Sequence, residues 1–108
     1  MGKTWTEKED EICCKVAVDT YVIERKRIHV NECANIIHSC EGIEHNKNIV
    51  VVRLQNIKAL LDEMNVPNTL DVSPLSHAGK QTRACLVAYL EECEVNIVGE
   101  KIVRNCTK

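Results

Sequence analysis

The spacing of apolar residues predicts that this chain is mainly α-helical. In residues 48–64 the apolar side chains recur every three or four positions, as one buried side of a helix requires. Residues 49–52 are rich in β-branched side chains that locally favour a strand, but the longer helical period argues for a helix capped by Asn48. The expected buried side of this helix comprises Val50, Leu54, Ile57, Leu61 and Met64.

Two helices are expected before this one. Thr6 is followed three residues later by Glu9, and this pair predicts a capping box that starts a first helix over residues 6–22. A second helix is expected over residues 30–40, ended by Gly42. The buried side of the first is expected to comprise Ile12, Cys13, Val16, Ala17, Thr20 and Ile23, and that of the second Val30, Cys33, Ala34, Ile37 and Cys40.

The C-terminal third of the chain predicts a different arrangement. Residues 67–78 are rich in Pro, Asn, Ser and Asp, which indicates an ordered connector. A fourth helix is expected over residues 79–93, and a β-hairpin over residues 95–104 around Gly99 and Glu100. The fourth helix is expected to bury Ala84, Leu86, Val87 and Leu90.

Length, composition and charge fit one small domain with an aliphatic core. The chain has 108 residues, of which 44% are hydrophobic and only 3% aromatic. Fourteen basic residues against sixteen acidic ones give a net charge of -2, so no basic field covers the whole protein. No apolar run approaches the roughly 20 residues that span a bilayer, and we expect a cytoplasmic protein without membrane contact. Seven cysteines, an odd number without a disulfide-type spacing, are expected to be reduced thiols.

The N-terminal part resembles a Myb/SANT-type helix-turn-helix unit. The resemblance is carried by WTEKED at residues 5–10, by Tyr21 and by VRLQNIKALLDEM at residues 52–64. The same segments are similar to the helical module that precedes HNH-type nuclease domains in bacterial and phage proteins. The resemblance covers residues 4–66 and implies a trihelical core. The fourth helix and the hairpin, expected from the sequence pattern, would extend this core, and Trp5, just outside the first helix cap, could fold over it.

This resemblance implies that the third helix contacts duplex DNA in the major groove. Arg and Lys side chains can bond guanine or phosphate, and Asn and Gln can bond adenine. The residues implied to contact DNA are Lys47, Asn48, Arg53, Gln55, Asn56 and Lys58, with phosphate contacts from Arg25, Lys26 and Arg27. DNA binding without catalysis is therefore the first functional hypothesis.

Two sites with metal-type or nuclease-type residues are not expected to be functional. Cys33, His38, Cys40 and His45 lie within thirteen residues, but they lack the pairing that zinc sites use. Asn68 and His77 have the separation of an HNH motif, but the connector shows neither the hairpin nor the helix that would hold its metal. We predict no catalytic residue, metal or cofactor.

The alternative hypothesis is a protein-binding inhibitor or adaptor, of the kind a phage uses against a host nucleic-acid enzyme. It is suggested by the net negative charge and by the acidic residues Glu91, Glu92 and Glu94 beside the expected hairpin. An exposed hairpin edge could also pair two copies of the chain into a homodimer.

Overall fold

Four α-helices form the part of the chain that the computed structural model describes, residues 4–76 and 78–95. They are α1 (Glu7–Ala17), α2 (Val30–His38), α3 (Lys47–Glu63) and α4 (Lys80–Glu92), and α1 continues into a π-helical turn, Val18–Ile23. The expectation of a mainly helical chain is confirmed for these residues. The predicted hairpin lies, apart from Val95, outside them.

The start of α1 is the predicted capping box. The Thr6 hydroxyl accepts a hydrogen bond from the Glu9 amide at 3.1 Å, and Glu9 Oε1 accepts one from the Thr6 amide at 3.0 Å. The helix widens after Ala17 into the π-helical turn and ends before Arg25, whose φ of 54° is left-handed. The basic segment Arg25 to Arg27 therefore lies outside the helices, without regular secondary structure.

The start of α3 corrects one prediction. Its cap is Asn46, whose Oδ1 accepts a hydrogen bond from the Ile49 amide at 3.0 Å, whereas Asn48 lies inside the helix. Residues 49–52 are helical in spite of their β-branched side chains. The helical period prevailed because it buries Val50 on the same side as the rest of the apolar stripe.

The core is aliphatic and centred on α3. The five residues predicted for its buried side are all buried. On α1, however, the buried side is turned toward Cys14 and Val18, and Ile23 is exposed because the π-helical turn shifts the register. On α4, Leu86 and Leu90 are buried as expected, whereas the prediction for Ala84 was wrong because this residue faces outward.

The helices pack as two pairs, which contact each other mainly through α1, α2 and α3. One pair is α2 with α3, and the other is α1 with α4. α1 and α4 run in the same direction: Gln81, at the start of α4, bonds to Asp10, and Tyr89, one turn before its end, bonds to Asp19. The N-terminal ends of α1 and α4 therefore lie together, near the start of α3.

Candidate functional site

Arg53 lies on α3, the predicted DNA-binding helix, and its side chain is directed inward. It is only 11% exposed, and its Nη1 donates to the Thr82 hydroxyl at 2.6 Å. Its Nε lies 3.2 Å from Asp10 Oδ1 but is not aligned for a hydrogen bond, so that contact is an ion pair. Its guanidinium also lies 4.4 Å from the ring centre of Trp5. Arg53 thus joins α3 to α1 and α4, and its guanidinium is directed toward these partners and not toward solvent.

The carboxylate of Asp10 explains why Arg53 is buried. Asp10 is 1% exposed and accepts hydrogen bonds from Thr82 at 3.1 Å and from Gln81 at 2.8 Å. A buried carboxylate is costly unless charge and hydrogen bonds compensate for the lost water. Arg53 supplies the charge, and the two α4 side chains supply the hydrogen bonds.

Asn56 is a second predicted DNA contact that the structure directs inward. Its Nδ2 donates to the Leu75 carbonyl at 2.7 Å, and its side chain is buried under the connector. The neighbouring Gln55 is half-buried, and its backbone carbonyl accepts from the Leu75 amide at 3.1 Å. These two residues hold the connector against α3, so Asn56 is not available to read an adenine.

Lys58 forms contacts with side chains near the C-terminal end of α3. Its Nζ donates to Asn68 Oδ1 at 3.1 Å and lies 3.3 Å from Asp62 Oδ1. The side chain is 19% exposed, and a phosphate would have to compete with both of these partners.

The remaining predicted DNA contacts are exposed but are not brought together. Lys47 and Asn48 lie at the first turn of α3, whereas the segment Arg25 to Arg27 lies near its other end, where Thr69 bonds to the carbonyls of Tyr21 and Lys26. α3 has 17 residues, about 25 Å of helix. The nine predicted contacts therefore do not form one surface.

Glu9, which sequence reasoning treated as a helix cap only, also holds the segment before α3. Its Oε2 accepts from the amides of Glu44 at 2.9 Å and His45 at 3.2 Å, and it lies 2.7 Å from His45 Nδ1. Burial alone would raise the pKa of this carboxyl, but the amides of Thr6 and Glu44 and the imidazole of His45 lower it from 4.5 to about 2. The Trp5 ring stacks on His45 at 4.3 Å, so Trp5 does cover this end of the core.

The residues considered for zinc are used elsewhere or lie apart. His45 is bonded to Glu9, Cys33 is buried on the inner side of α2, and His38 is exposed. Within residues 4–76 and 78–95, no three His, Cys, Asp or Glu side chains are grouped to hold a metal ion. Of the residues with HNH-type separation, Asn68 lies beside Lys58, and His77 is not described.

A groove between α1 and α4 is a concave surface on the described residues. Its volume is about 810 Å³, and it is open along its length. Residues at every fourth position of α1 form one side, and one face of α4 forms the other. The lining comprises Glu7, Glu11, Lys15, Gln81, Ala84, Cys85, Ala88, Tyr89 and Glu92. The sequence analysis did not predict this groove, because the pairing of α1 with α4 joins residues about seventy positions apart. The sequence feature that could have indicated it is the pair of small residues Ala84 and Ala88, one helical turn apart.

The groove carries negative charge that other residues do not neutralise. Glu7, Glu11 and Glu92 are exposed, and within the described parts of the chain none of them makes an ion pair. Lys15 is the one basic residue in the lining, and its Nζ already lies 3.4 Å from both Asp19 Oδ2 and the Tyr89 hydroxyl. The rim is therefore anionic.

The titratable groups inside the groove are unsuited to nucleophilic chemistry. Burial, followed by the negative charges of Asp10, Glu11 and Glu7, raises the pKa of the Cys85 thiol to about 11. The hydrogen bond from the Tyr89 hydroxyl to Asp19, at 2.7 Å, raises the pKa of Tyr89 well above its ordinary value. Both groups are therefore protonated near neutral pH, and neither is an activated nucleophile.

No protein-family model matches this chain, and neither a curated protein nor a solved structure matches it. Among the described residues, none of the helices has both the length and the apolar character needed to cross a membrane.

Proposed function

We propose that this protein is a non-catalytic adaptor or inhibitor that binds another protein through the α1–α4 groove. The observation that supports it is the anionic rim of Glu7, Glu11 and Glu92 around a concave surface whose lining includes Ala84 and Ala88. Concave surfaces between packed helices are common sites for a bound ligand or peptide. The exposed rim carboxylates do not stabilise the fold through ion pairs, so they are free to contact a partner.

A nucleic-acid enzyme is the class of partner that the charge favours. Such enzymes present basic surfaces to their substrate, and an anionic groove is complementary to a basic surface. The proposal thereby keeps the partner class suggested by the sequence and moves the contact from the expected hairpin region to α1 and α4.

Duplex DNA is a weaker candidate partner. Arg53 is directed inward and Asn56 is buried, and the predicted basic contacts that are exposed, Lys47 and Arg25 to Arg27, lie at opposite ends of α3. Close phosphate contacts require several basic side chains on one continuous surface.

Affinity capture from a nuclease-treated bacterial lysate tests this proposal. We expect the wild-type chain to retain a protein that the variant Ala88→Trp does not retain, because the indole would fill the groove. Asn35→Trp is the matched control, since Asn35 is an exposed helical residue on α2, outside the groove. Helical circular dichroism would verify that both variants fold.

The proposal is contradicted if Ala88→Trp and Asn35→Trp retain the same proteins. It is also contradicted if, without nuclease, the chain retains only nucleic acid. The latter outcome would restore the DNA-binding hypothesis.

A further inference from the structure

We infer that the segment bound in the α1–α4 groove is an amphipathic α-helix with Lys or Arg on both flanks of its apolar side. This inference rests on the proposed function and names the partner's local chemistry. It follows from the shape of the groove, from the size of the residues in it and from the positions of its charges.

The shape of the groove favours a helix over other peptide conformations. Adding a strand requires a sheet edge, and residues 4–76 and 78–95 contain no β-strand. Binding a polyproline segment requires an aromatic-lined surface, and Tyr89 is the one aromatic residue in the lining. Two helices packed side by side in the same direction leave a groove that accepts a third helix at a shallow crossing angle.

The small residues of α4 allow such a helix to come close. Ala84 and Ala88 are one turn apart, and both are exposed along the groove. Small side chains at this spacing permit the backbones of two helices to approach, and they leave room for the partner's larger aliphatic side chains. From Gln81 to Glu92 the groove can contact about 16 Å of the partner, or roughly three helical turns.

The carboxylates of the groove determine which charge the flanks of the bound helix should carry. Glu7 and Glu11 lie one turn apart on α1, and Glu92 lies at the last turn of α4. A helix resting on the alanines would have both flanks next to these carboxylates. Lys or Arg on the flanks would pair with them, whereas Asp or Glu there would be repelled.

The experiment is a selection from a displayed library of 16-residue helical peptides. The wild-type chain is the target, and Ala88→Trp is the counter-target, so that only groove-dependent peptides are kept. A second counter-target, Ala84→Trp, guards against a folding defect in the first. We expect the enriched peptides to carry aliphatic residues every three or four positions and Lys or Arg beside them.

Affinities of the enriched peptides then test the role of the rim. A triple variant, Glu7→Gln with Glu11→Gln and Glu92→Gln, is expected to weaken binding about tenfold, since each exposed pair contributes roughly a twofold to threefold change. The matched control, Glu24→Gln with Glu32→Gln and Glu41→Gln, removes three exposed acidic residues elsewhere and should change binding less than about twofold.

The outcomes separate this inference from the proposed function. Groove-dependent peptides that are acidic, uncharged or rich in proline would overturn the inference and leave the protein-binding function standing. Failure to enrich any groove-dependent peptide would overturn both. A wild-type dimer in sedimentation that Ala88→Trp dissociates would also overturn the inference, because the occupant would then be a second copy of the chain.

Discussion

Within five residues, α1 carries two pairs of acidic residues that differ in burial and in the partners of their carboxylates. Glu9 and Asp10 are each 1% exposed, and hydrogen bonds and basic partners surround them. Glu7 and Glu11 are exposed and make no ion pair with any described residue. The first pair holds the N-terminal ends of three helices together, and the second pair borders the groove. The four acidic residues, which form one continuous acidic segment in the sequence apart from Lys8, therefore divide into a buried structural pair and an exposed pair at the groove.

Helical geometry explains this division. Glu7 and Glu11 are four residues apart and project from the same side of α1, whereas Glu9 projects from the opposite side. The side that bears Glu9 faces the segment before α3, and Asp10 faces the start of α4. If the comparison is correct, mutations in the buried pair and its partners should reduce stability, and mutations in the exposed pair should reduce binding only.

The largest loss of stability is expected for Arg53→Met. This change leaves the buried carboxylate of Asp10 without its basic partner, which typically costs about 3 to 5 kcal/mol of unfolding free energy. Lys58→Met is the matched control on the same helix and should cost at most about 1 kcal/mol, because Lys58 pairs with the exposed Asp62. Urea denaturation measures both, and equal losses would contradict the assigned role of Arg53.

The next largest effect is expected for Glu9, and it should depend on pH. The folded-state pKa of about 2 lies below the ordinary 4.5, so ionised Glu9 stabilises the fold above about pH 4.5, and this contribution is lost as the pH falls toward 2. The shift corresponds to about 3 kcal/mol. Urea midpoints of wild type and Glu9→Gln should therefore differ at pH 7 and converge near pH 2. A difference that is constant with pH would show that the carboxylate charge is not involved.

A smaller effect distinguishes two neighbouring asparagines beside the buried pair. Asn46→Ala should cost about 1 kcal/mol, because Asn46 caps α3 directly after the His45 that Glu9 binds. Asn48→Ala is the control and should stay within about 0.5 kcal/mol, since it is exposed inside the first turn. Thermal unfolding of the two variants checks this, and the reverse order would place the cap where the sequence first suggested it.

The smallest effect on stability is expected at the groove. Glu11→Gln and Glu92→Gln should each change the unfolding free energy by less than about 0.5 kcal/mol, because both carboxylates are solvated and unpaired among the described residues. Chemical denaturation near neutral pH would detect a larger change. A loss comparable to that of Glu9→Gln would remove the distinction between the two pairs.

The parts of the fold that depend on local sequence were predictable. The capping box at Thr6 involves residues three apart, and the buried stripe of α3 follows from the spacing of its aliphatic residues. Both features were confirmed. The cap of α3 is Asn46 and not the predicted Asn48; the segment directly before Asn46 is held by Glu9, which is distant in sequence.

The features that depend on contacts distant in sequence were not predictable. Arg53 looked like a surface residue because its partners, Asp10 and Thr82, lie 43 positions before it and 29 positions after it. One sign was present: Arg53 is three residues from the buried Val50 and next to Leu54, at the margin of the apolar stripe. The groove was missed for the same reason, since its two sides come from opposite ends of the described chain.

Photocrosslinking in bacterial cells tests the central claim most directly, because it compares the two candidate surfaces in one experiment. A photoreactive amino acid would replace Ala88 in the groove, or Asn48 on the exposed first turn of α3. The account predicts protein adducts from position 88, attached to a basic helical segment of the partner, and no adducts above background from position 48. DNA or protein adducts from position 48, with none from position 88, would contradict it.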